Sequence, residues 1–358
     1  MVVAISARML AQMAAADGFA VTALDRFGDV DLRAVARGAT ASSNDGLAVL
    51  AADVVDADAV VYGGGLENRP DLVERLADGR ELLGTPPELL AAVRDPWAVG
   101  AAARAAGARA PETRSVADAP GLGEGAVWLR KPRLGGGGRG VRRWAGGRLH
   151  STEILQRRVD GLSCSAVAIG DGRRAILLGL TEQLHRPPGV QWTGNLAPPR
   201  LPGPELAELD GQLSAVCAEV AARFGVRGAF GVDAIWDGRH AWVLEVNPRP
   251  TAGLELFGPG SFAAHVRGAR GLSLPTADTA PTRCARVKLV LFAEHDLLAP
   301  DPGWWPAGMV RDIPHQGETI VRGAPVCTLV SATAGAPQLA ARGTELLAAL
   351  PEQVLAGG

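Results

Sequence analysis

Two segments past the middle of the chain carry oxygen ligands at a spacing suited to a hard cation. Gly231-Val232-Asp233-Ala234-Ile235-Trp236 reads as a strand, Asp237-Gly238 as a turn and Trp242-Val243-Leu244-Glu245-Val246-Asn247 as the return strand. Glu245 and Asn247 are two apart and therefore share a face. Bringing Asp233 to that face requires a loop with an odd number of residues. A three-residue Trp236-Asp237-Gly238 loop with Gly238 left-handed meets this requirement. Two carboxylates and an amide suit Mg²⁺, with Mn²⁺ as a substitute, because Mg²⁺ takes a few protein oxygens beside phosphates and water. The bland alternative is a hairpin with a solvated polar face. Against it, Phe230, Val232, Ile235, Val243, Leu244 and Val246 make both strands read as buried, and buried carboxylates need a partner.

A second constellation is glycine-rich. Trp128-Leu129-Arg130-Lys131-Pro132 runs into Arg133-Leu134-Gly135-Gly136-Gly137-Gly138-Arg139-Gly140. Such a loop lets backbone N–H groups approach a polyphosphate closely, and Lys131 at the strand end can set an ammonium against it. Gly-Lys-Ser/Thr is missing, so this is not a Walker loop. Taken alone, the segment also fits a mobile hairpin in an alanine- and glycine-rich chain.

The elements that must position these groups are legible in part. Residues 1–94 alternate: strand Val2–Ile5, helix Ala7–Asp17, strand Ala20–Leu24, helix Leu47–Val55, strand Ala59–Tyr62 and helix Asp71–Leu76. That rhythm predicts a parallel sheet flanked by helices. Ser6-Ala7-Arg8-Met9 lacks the dinucleotide fingerprint, so the topology is Rossmann-like without NAD. Gly63-Gly64-Gly65 ends a strand at the edge where such sheets bind ligands, or is simply a turn. Asp95-Pro96 starts a helix. Leu206, Leu209, Leu213, Val216, Val220 and Phe224 mark a core helix over 205–224. From Arg283 onward, strands at Ala285–Phe292, Thr319–Val321 and Val326–Ser331 and a helix at Gln338–Leu350 are expected.

Composition narrows the function classes. The 358 residues are 47% hydrophobic and 21% charged with a formal net charge of −2, which allows a large core and gives no footprint for nucleic acid or a membrane surface. No apolar run reaches membrane-span length and no leader pattern opens the chain, so a cytoplasmic enzyme is expected. Four scattered cysteines read as buried thiols, and the six histidines show no nucleophile-partner pattern.

Taken together, Leu129-Arg130-Lys131-Pro132 with its glycine loop, Ile154-Leu155-Gln156-Arg157-Arg158-Val159-Asp160-Gly161, and Gly231-Val232-Asp233 with Glu245-Val246-Asn247-Pro248-Arg249-Pro250 resemble the ATP-grasp superfamily. The resemblance implies an α/β protein: an N-terminal Rossmann-like (pre-ATP-grasp) domain over 1–94, a lid subdomain over 95–160, and a C-terminal subdomain over 161–358. The last two would clasp the nucleotide. By position, Lys131 would hold the α/β-phosphates under a lid of Gly135, Gly136, Gly137, Gly138 and Gly140. Gln156, Arg157 and Val159 would line the adenine pocket, with Asp160 near the ribose. Asp233, Glu245 and Asn247 would bind Mg²⁺, and Arg249 would face the transferred phosphate. Tyr62-Gly63-Gly64-Gly65-Leu66-Glu67-Asn68-Arg69-Pro70, Asp312-Ile313-Pro314 and Gly323-Ala324-Pro325-Val326-Cys327-Thr328 further resemble the branch of predicted ATP-dependent carboligases associated with one-carbon metabolism.

The implied chemistry is ATP-dependent joining of a small-molecule carboxylate to an amine through an acyl phosphate. Glu67, Asn68, Glu182 and Asn195 are candidates for the acceptor end, and a homodimer is a family-level expectation. Alternatives are a biotin-carboxylase-like reaction on bicarbonate, a phosphotransferase, and a nucleotide-binding regulator without turnover. One departure stands out. Many family members carry Asp-Lys where this chain has Asp95-Pro96, so one phosphate contact must come from elsewhere, with Arg133 and Arg139 as candidates.

Overall fold

The computed structural model describes residues 1–117, 126–186, 189–276, 286–333 and 335–350. Pro120, Gly121, Gly123, Gly125, Cys284 and the start of the strand expected from Ala285 lie outside the described residues.

The N-terminal third builds a five-stranded parallel sheet in the order Arg37–Thr40, Thr22–Asp25, Val2–Val3, Ala59–Tyr62, Glu81–Leu82. Alternation sends Val2 and Val61 to one face, against Leu10, Ala11 and Ala14 of the Arg8–Ala16 helix. Val3, Val60 and Tyr62 face the other way, onto Leu47, Leu72, Val73 and Leu76. The two edge strands, Arg37–Thr40 and Glu81–Leu82, are absent from the sequence expectation. Edge strands bury little and so carry little apolar pattern, and Arg37, Gly38 and Thr40 are exposed. The strand order reverses between Val2–Val3 and Ala59–Tyr62, and the loops leaving those strands meet where Ile5 N–H donates to the Gly64 carbonyl at 3.1 Å.

A four-stranded antiparallel sheet follows, ordered Thr113–Arg114, Glu153–Arg157, Trp128–Pro132, Arg142–Arg143. One face packs Trp128 and Leu155 on Leu149. The other carries Lys131, Ile154 and Gln156, because Lys131 pairs with Ile154 and Leu129 with Gln156.

The largest element is an eight-stranded antiparallel sheet: Ala241–Asn247, Arg227–Trp236, Leu162–Asp171, Ala175–Arg186, Gln191–Leu196, Val287–Phe292, Pro325–Ser331, Val310–Arg311. One face packs on the Pro96–Ala105 and Gly203–Phe224 helices. In the latter, Leu209, Leu213, Val216, Val220 and Phe224 are buried, each stabilising by about 1.5–3 kcal/mol, and left-handed Gly225 ends the helix. Asp95 caps the former by accepting from Trp97 N–H at 3.0 Å and Ala98 N–H at 2.9 Å. The opposite sheet face meets the Ala252–Leu256 turn of 3₁₀ helix, the Ser261–Ala269 helix and the N-terminal domain.

The hairpin loop differs from expectation. Trp236 pairs with Ala241, so the loop is Asp237-Gly238-Arg239-His240, four residues rather than three. An even loop would put Asp233 opposite Leu244 and turn Glu245 away. A β-bulge corrects this: Ala234 pairs with Val243, Asp233 with Glu245 and Gly231 with Asn247, leaving Leu244 as the extra residue.

Candidate active site

Asp233 and Glu245 lie directly opposite one another, with Asn247 one pair further along the same face. Asp233 Oδ1 accepts from Gln183 Nε2 at 2.9 Å and Oδ2 from Asn247 Nδ2 at 3.0 Å. Burial first, then repulsion from Glu245, pushes the Asp233 carboxyl up to about 6, although Ser165, Arg249 and Asn247 oppose this. Lys131 reaches over from the small sheet, its ammonium 3.8 Å from Glu245 and 3.5 Å from Gln156 Oε1. The two sheets thus bring their functional faces together across a cleft walled by Ile154, Val99 and Leu244, with Lys131 and Glu245 at its polar end. The bulge therefore has two effects: it aligns the carboxylates and gives the cleft an apolar side chain.

The glycine loop is tied to this cleft at its root, where Arg94, a lining residue, donates to the Gly135 carbonyl at 2.7 Å. Gly137, Gly138 and Gly140 take φ of 62°, 72° and 75°. Trp192 N–H donates to the Gly137 carbonyl at 3.1 Å, and a Cβ at Gly138 would stand 2.1 Å from the Val190 carbonyl oxygen. Only glycine allows this approach. Gln156 is buried and donates to Thr113 Oγ1 at 3.3 Å. Arg157 ends the Glu153–Arg157 strand on the face opposite Gln156 and is exposed, while Val159 and Asp160 lie on the connector between the two sheets, with Asp160 ion-paired to Arg158 at 2.8 Å.

Two of the acceptor candidates reach the site through arginines. Arg249, two residues beyond Asn247, ion-pairs with buried Glu67 at 3.0 Å, and Glu67 Oε2 accepts from Gly65 N–H at 2.6 Å. Burial pushes Glu67 up, but Arg249 and then Arg94 pull it below the usual carboxylate value. Burial likewise opposes the Arg249 charge, and Glu67, with Asp233 and Glu245 beyond it, more than offsets that and raises its pKa. Asn68 Oδ1 accepts from Arg94 Nε at 3.1 Å. Asn195 shares the sheet face with Gln183, but both ends of its amide are engaged: Nδ2 donates to Thr181 Oγ1 at 2.8 Å and Oδ1 accepts from Trp192 Nε1 at 3.1 Å.

Glu182 is not brought to the site. It follows Thr181 in the strand and so points to the opposite face, where it is buried and paired with Arg200. Arg133, a candidate for the missing phosphate contact, instead pairs with Asp95 at 2.6 Å and stacks on Trp97 at 5.3 Å. Lys288 is buried against Glu255.

Sequence reasoning missed Arg94 and Gln183. Arg94 is buried and donates to the Val246 carbonyl at 2.9 Å, Asn247 Oδ1 at 3.2 Å and the Gly135 carbonyl at 2.7 Å. Its one sequence signal is a lone arginine closing the apolar run Leu89-Leu90-Ala91-Ala92-Val93.

Residues 93–253, which hold the four-stranded sheet and five strands of the eight-stranded one, match the sequence model of a family described as ATP-grasp domain. Over these residues the chain is similar to the ATP-grasp family and has its fold. Solved structures agree on the fold across nearly the whole chain. The biotin carboxylase domain dimer of Hydrogenobacter thermophilus 2-oxoglutarate carboxylase, in complex with MgADP, ADP and bicarbonate, is 16% identical with a TM-score of 0.73. That match covers 98% of this chain and 90% of the other. N5-carboxyaminoimidazole ribonucleotide synthetase from Thermus thermophilus is 20% identical, with a TM-score of 0.66 and 100% of both chains covered. Rhizobium etli pyruvate carboxylase is 15% identical with a TM-score of 0.73 over 96% of this chain, which spans only 36% of that protein. No curated protein matches the sequence. Ahead of the matched residues lies the parallel α/β sheet, and among the described residues no helix is long and apolar enough to cross a membrane.

Proposed function

We propose that this chain is an ATP- and Mg²⁺-dependent ligase that activates a carboxylate as an acyl phosphate and passes the acyl group to an amine. The observation that carries this reading is the facing of Asp233 and Glu245, with Lys131 3.8 Å from Glu245 and both of these lining one cleft. The donor set fits a divalent cation: it is all oxygen, and burial first, then the facing Glu245, raises Asp233. When bound, the metal would neutralise charge on the nucleotide's terminal phosphates.

The chain's own residues supply positioning and charge. Ile154 and Leu244 offer flat apolar walls to a base, and Lys131 an ammonium to the phosphates. The glycine loop covers the phosphates and keeps water from the acyl phosphate. Arg249, held by Glu67 beside the N-terminal Gly63–Gly65 loop, faces the place where the acceptor would enter. The substrate carboxylate attacks the γ-phosphorus as the bond to ADP breaks. The amine nitrogen then attacks the acyl carbon, phosphate leaves, and the nitrogen loses its proton to solvent.

A second reading is carboxylation, in which bicarbonate takes the place of the carboxylate. The fold neighbours favour keeping it in view, since two are carboxylases and one carries a carboxyamino product in its name. ADP release with Mg·ATP against amino acids, amines, pterin and furan precursors and bicarbonate separates the readings, with Glu245→Ala as control. Release that needs one carboxylate and one amine, and is lost in the control, is the expected result. Stimulation by bicarbonate in place of any other carboxylate selects the carboxylase. A chain that fails to bind Mg·ATP refutes both. Activity with a pterin or furan precursor would support the link to one-carbon metabolism.

A further inference from the structure

Three arginine or lysine side chains are buried among the described residues: Arg8, Arg94 and Lys288. Two have carboxylate partners, since Arg8 pairs with Glu255 and Asp312, and Lys288 with Glu255. Arg94 has none within ion-pair distance among the described residues. Its donors go to two backbone carbonyls and two side-chain amides, all neutral. Glu67, which feels the Arg94 charge, is itself committed to Arg249. A buried guanidinium whose hydrogen bonds all go to neutral acceptors is placed to take an anion, because charge-assisted contacts replace weaker ones. It also borders the proposed nucleotide cleft, with Lys131 and Glu245 among its fellow lining residues.

We propose that Arg94 is the fixed cation for the nucleotide's β- and γ-phosphates and supplies the contact that Pro96 cannot. This rests on the ATP-grasp reading above. The geometry gives Arg94 a second role. In the structure it holds the Gly135 carbonyl, at the root of the glycine loop, at 2.7 Å and Asn247 Oδ1 at 3.2 Å. Phosphate oxygens are charged acceptors and displace neutral ones from a guanidinium. Binding therefore frees Asn247 Oδ1 for the cation and releases the loop root to settle over the phosphates. Asn68, on the remaining nitrogen, ties the same event to the N-terminal domain.

The test is calorimetric binding of adenosine and of Mg·ADP to the whole chain, as wild type, Arg94→Met and Arg94→Lys. Losing charge-assisted contacts to phosphate should weaken Mg·ADP by about tenfold or more in Arg94→Met, with adenosine changed by less than about twofold. Arg94→Lys should recover part of the loss, because it keeps the charge without the fork. In ¹⁵N-arginine spectra of the wild type, the Arg94 Nε–H signal, assigned from Arg94→Lys, should move with Mg·ADP and stay with adenosine. That readout holds even where Arg94→Met fails to fold. Equal losses for adenosine and ADP, or an Arg94 signal indifferent to ADP, overturn the proposal alone. A wild type that binds neither ligand overturns the reading beneath it.

Discussion

Gly138 has a left-handed backbone, with φ of 72°, in a loop whose next contact is the Val190 carbonyl. A methyl group there meets both constraints at once: an unfavourable φ costing about 1 kcal/mol or more, and a carbonyl that must move. Gly138→Ala should therefore lower ADP release about tenfold or more, while calorimetry shows only a small change in melting temperature. The loop is a surface cover, and its displacement leaves the three larger sheets intact. A larger thermal loss would mean the loop is structural. Lys131 was legible because charge at a strand end beside glycines is a local pattern, and Glu245 because its two-residue spacing to Asn247 is too. Arg94 was not, because its meaning lies in what it lacks, a carboxylate neighbour, and neighbours are a property of the folded chain.

The decisive element is the bulged hairpin. Composition predicted two buried strands and left-handed Gly238 at the turn, as observed. Parity, however, is set by Leu244 rather than by an odd loop. The extra residue leaves Val243 in the core and swings Glu245 to the Asp233 face while Leu244 itself walls the cleft. Leu244→Ala removes apolar area from that wall alone. Adenosine affinity should fall about three- to tenfold, the equivalent of roughly 1 kcal/mol of lost contact, with Mg²⁺-dependence unchanged in the same titration. Unchanged adenosine affinity would place the base elsewhere.

Across the whole molecule, the N-terminal domain is tied to the large sheet by buried polar links. Arg8 joins Glu255 and Asp312, and Asp312 takes φ of 54° at the junction. His265 is fully buried in the Ser261–Ala269 helix, accepting from Ala229 N–H at 2.8 Å while its other nitrogen lies 3.2 Å from the Leu83 carbonyl. Burial depresses its pKa from 6.5 to about 4. Between those values the unfolded chain binds a proton that the folded chain refuses, so stability falls as pH drops from about 6.5 to about 4. Asp233, raised to about 6, and Asp29, raised to about 8, act in the opposite sense over that window, so the His265 share is read as the difference between variants. His265→Asn should be less stable at pH 7, and its deficit in denaturant midpoint should shrink as pH falls from 7 to 4. A deficit constant across that window would refute the assignment.

The sequence by itself determined which residues could do chemistry and which kind of chemistry, because motifs such as Lys131 with its glycines or Glu245-Val246-Asn247 are local. It also determined the interior elements of the parallel sheet and the long core helix, whose apolar periodicity is strong. Tertiary structure alone decided the rest. It made strands of the weakly patterned edges Arg37–Thr40 and Glu81–Leu82, whose partners supply the order. It turned Glu182 away onto Arg200 through a one-residue alternation that no motif records. It also placed Arg94, 153 residues from Asn247 in sequence, within hydrogen-bond reach of the strand that carries Glu245 and Asn247. Contacts at that separation arise from packing of whole layers, and no local pattern encodes them.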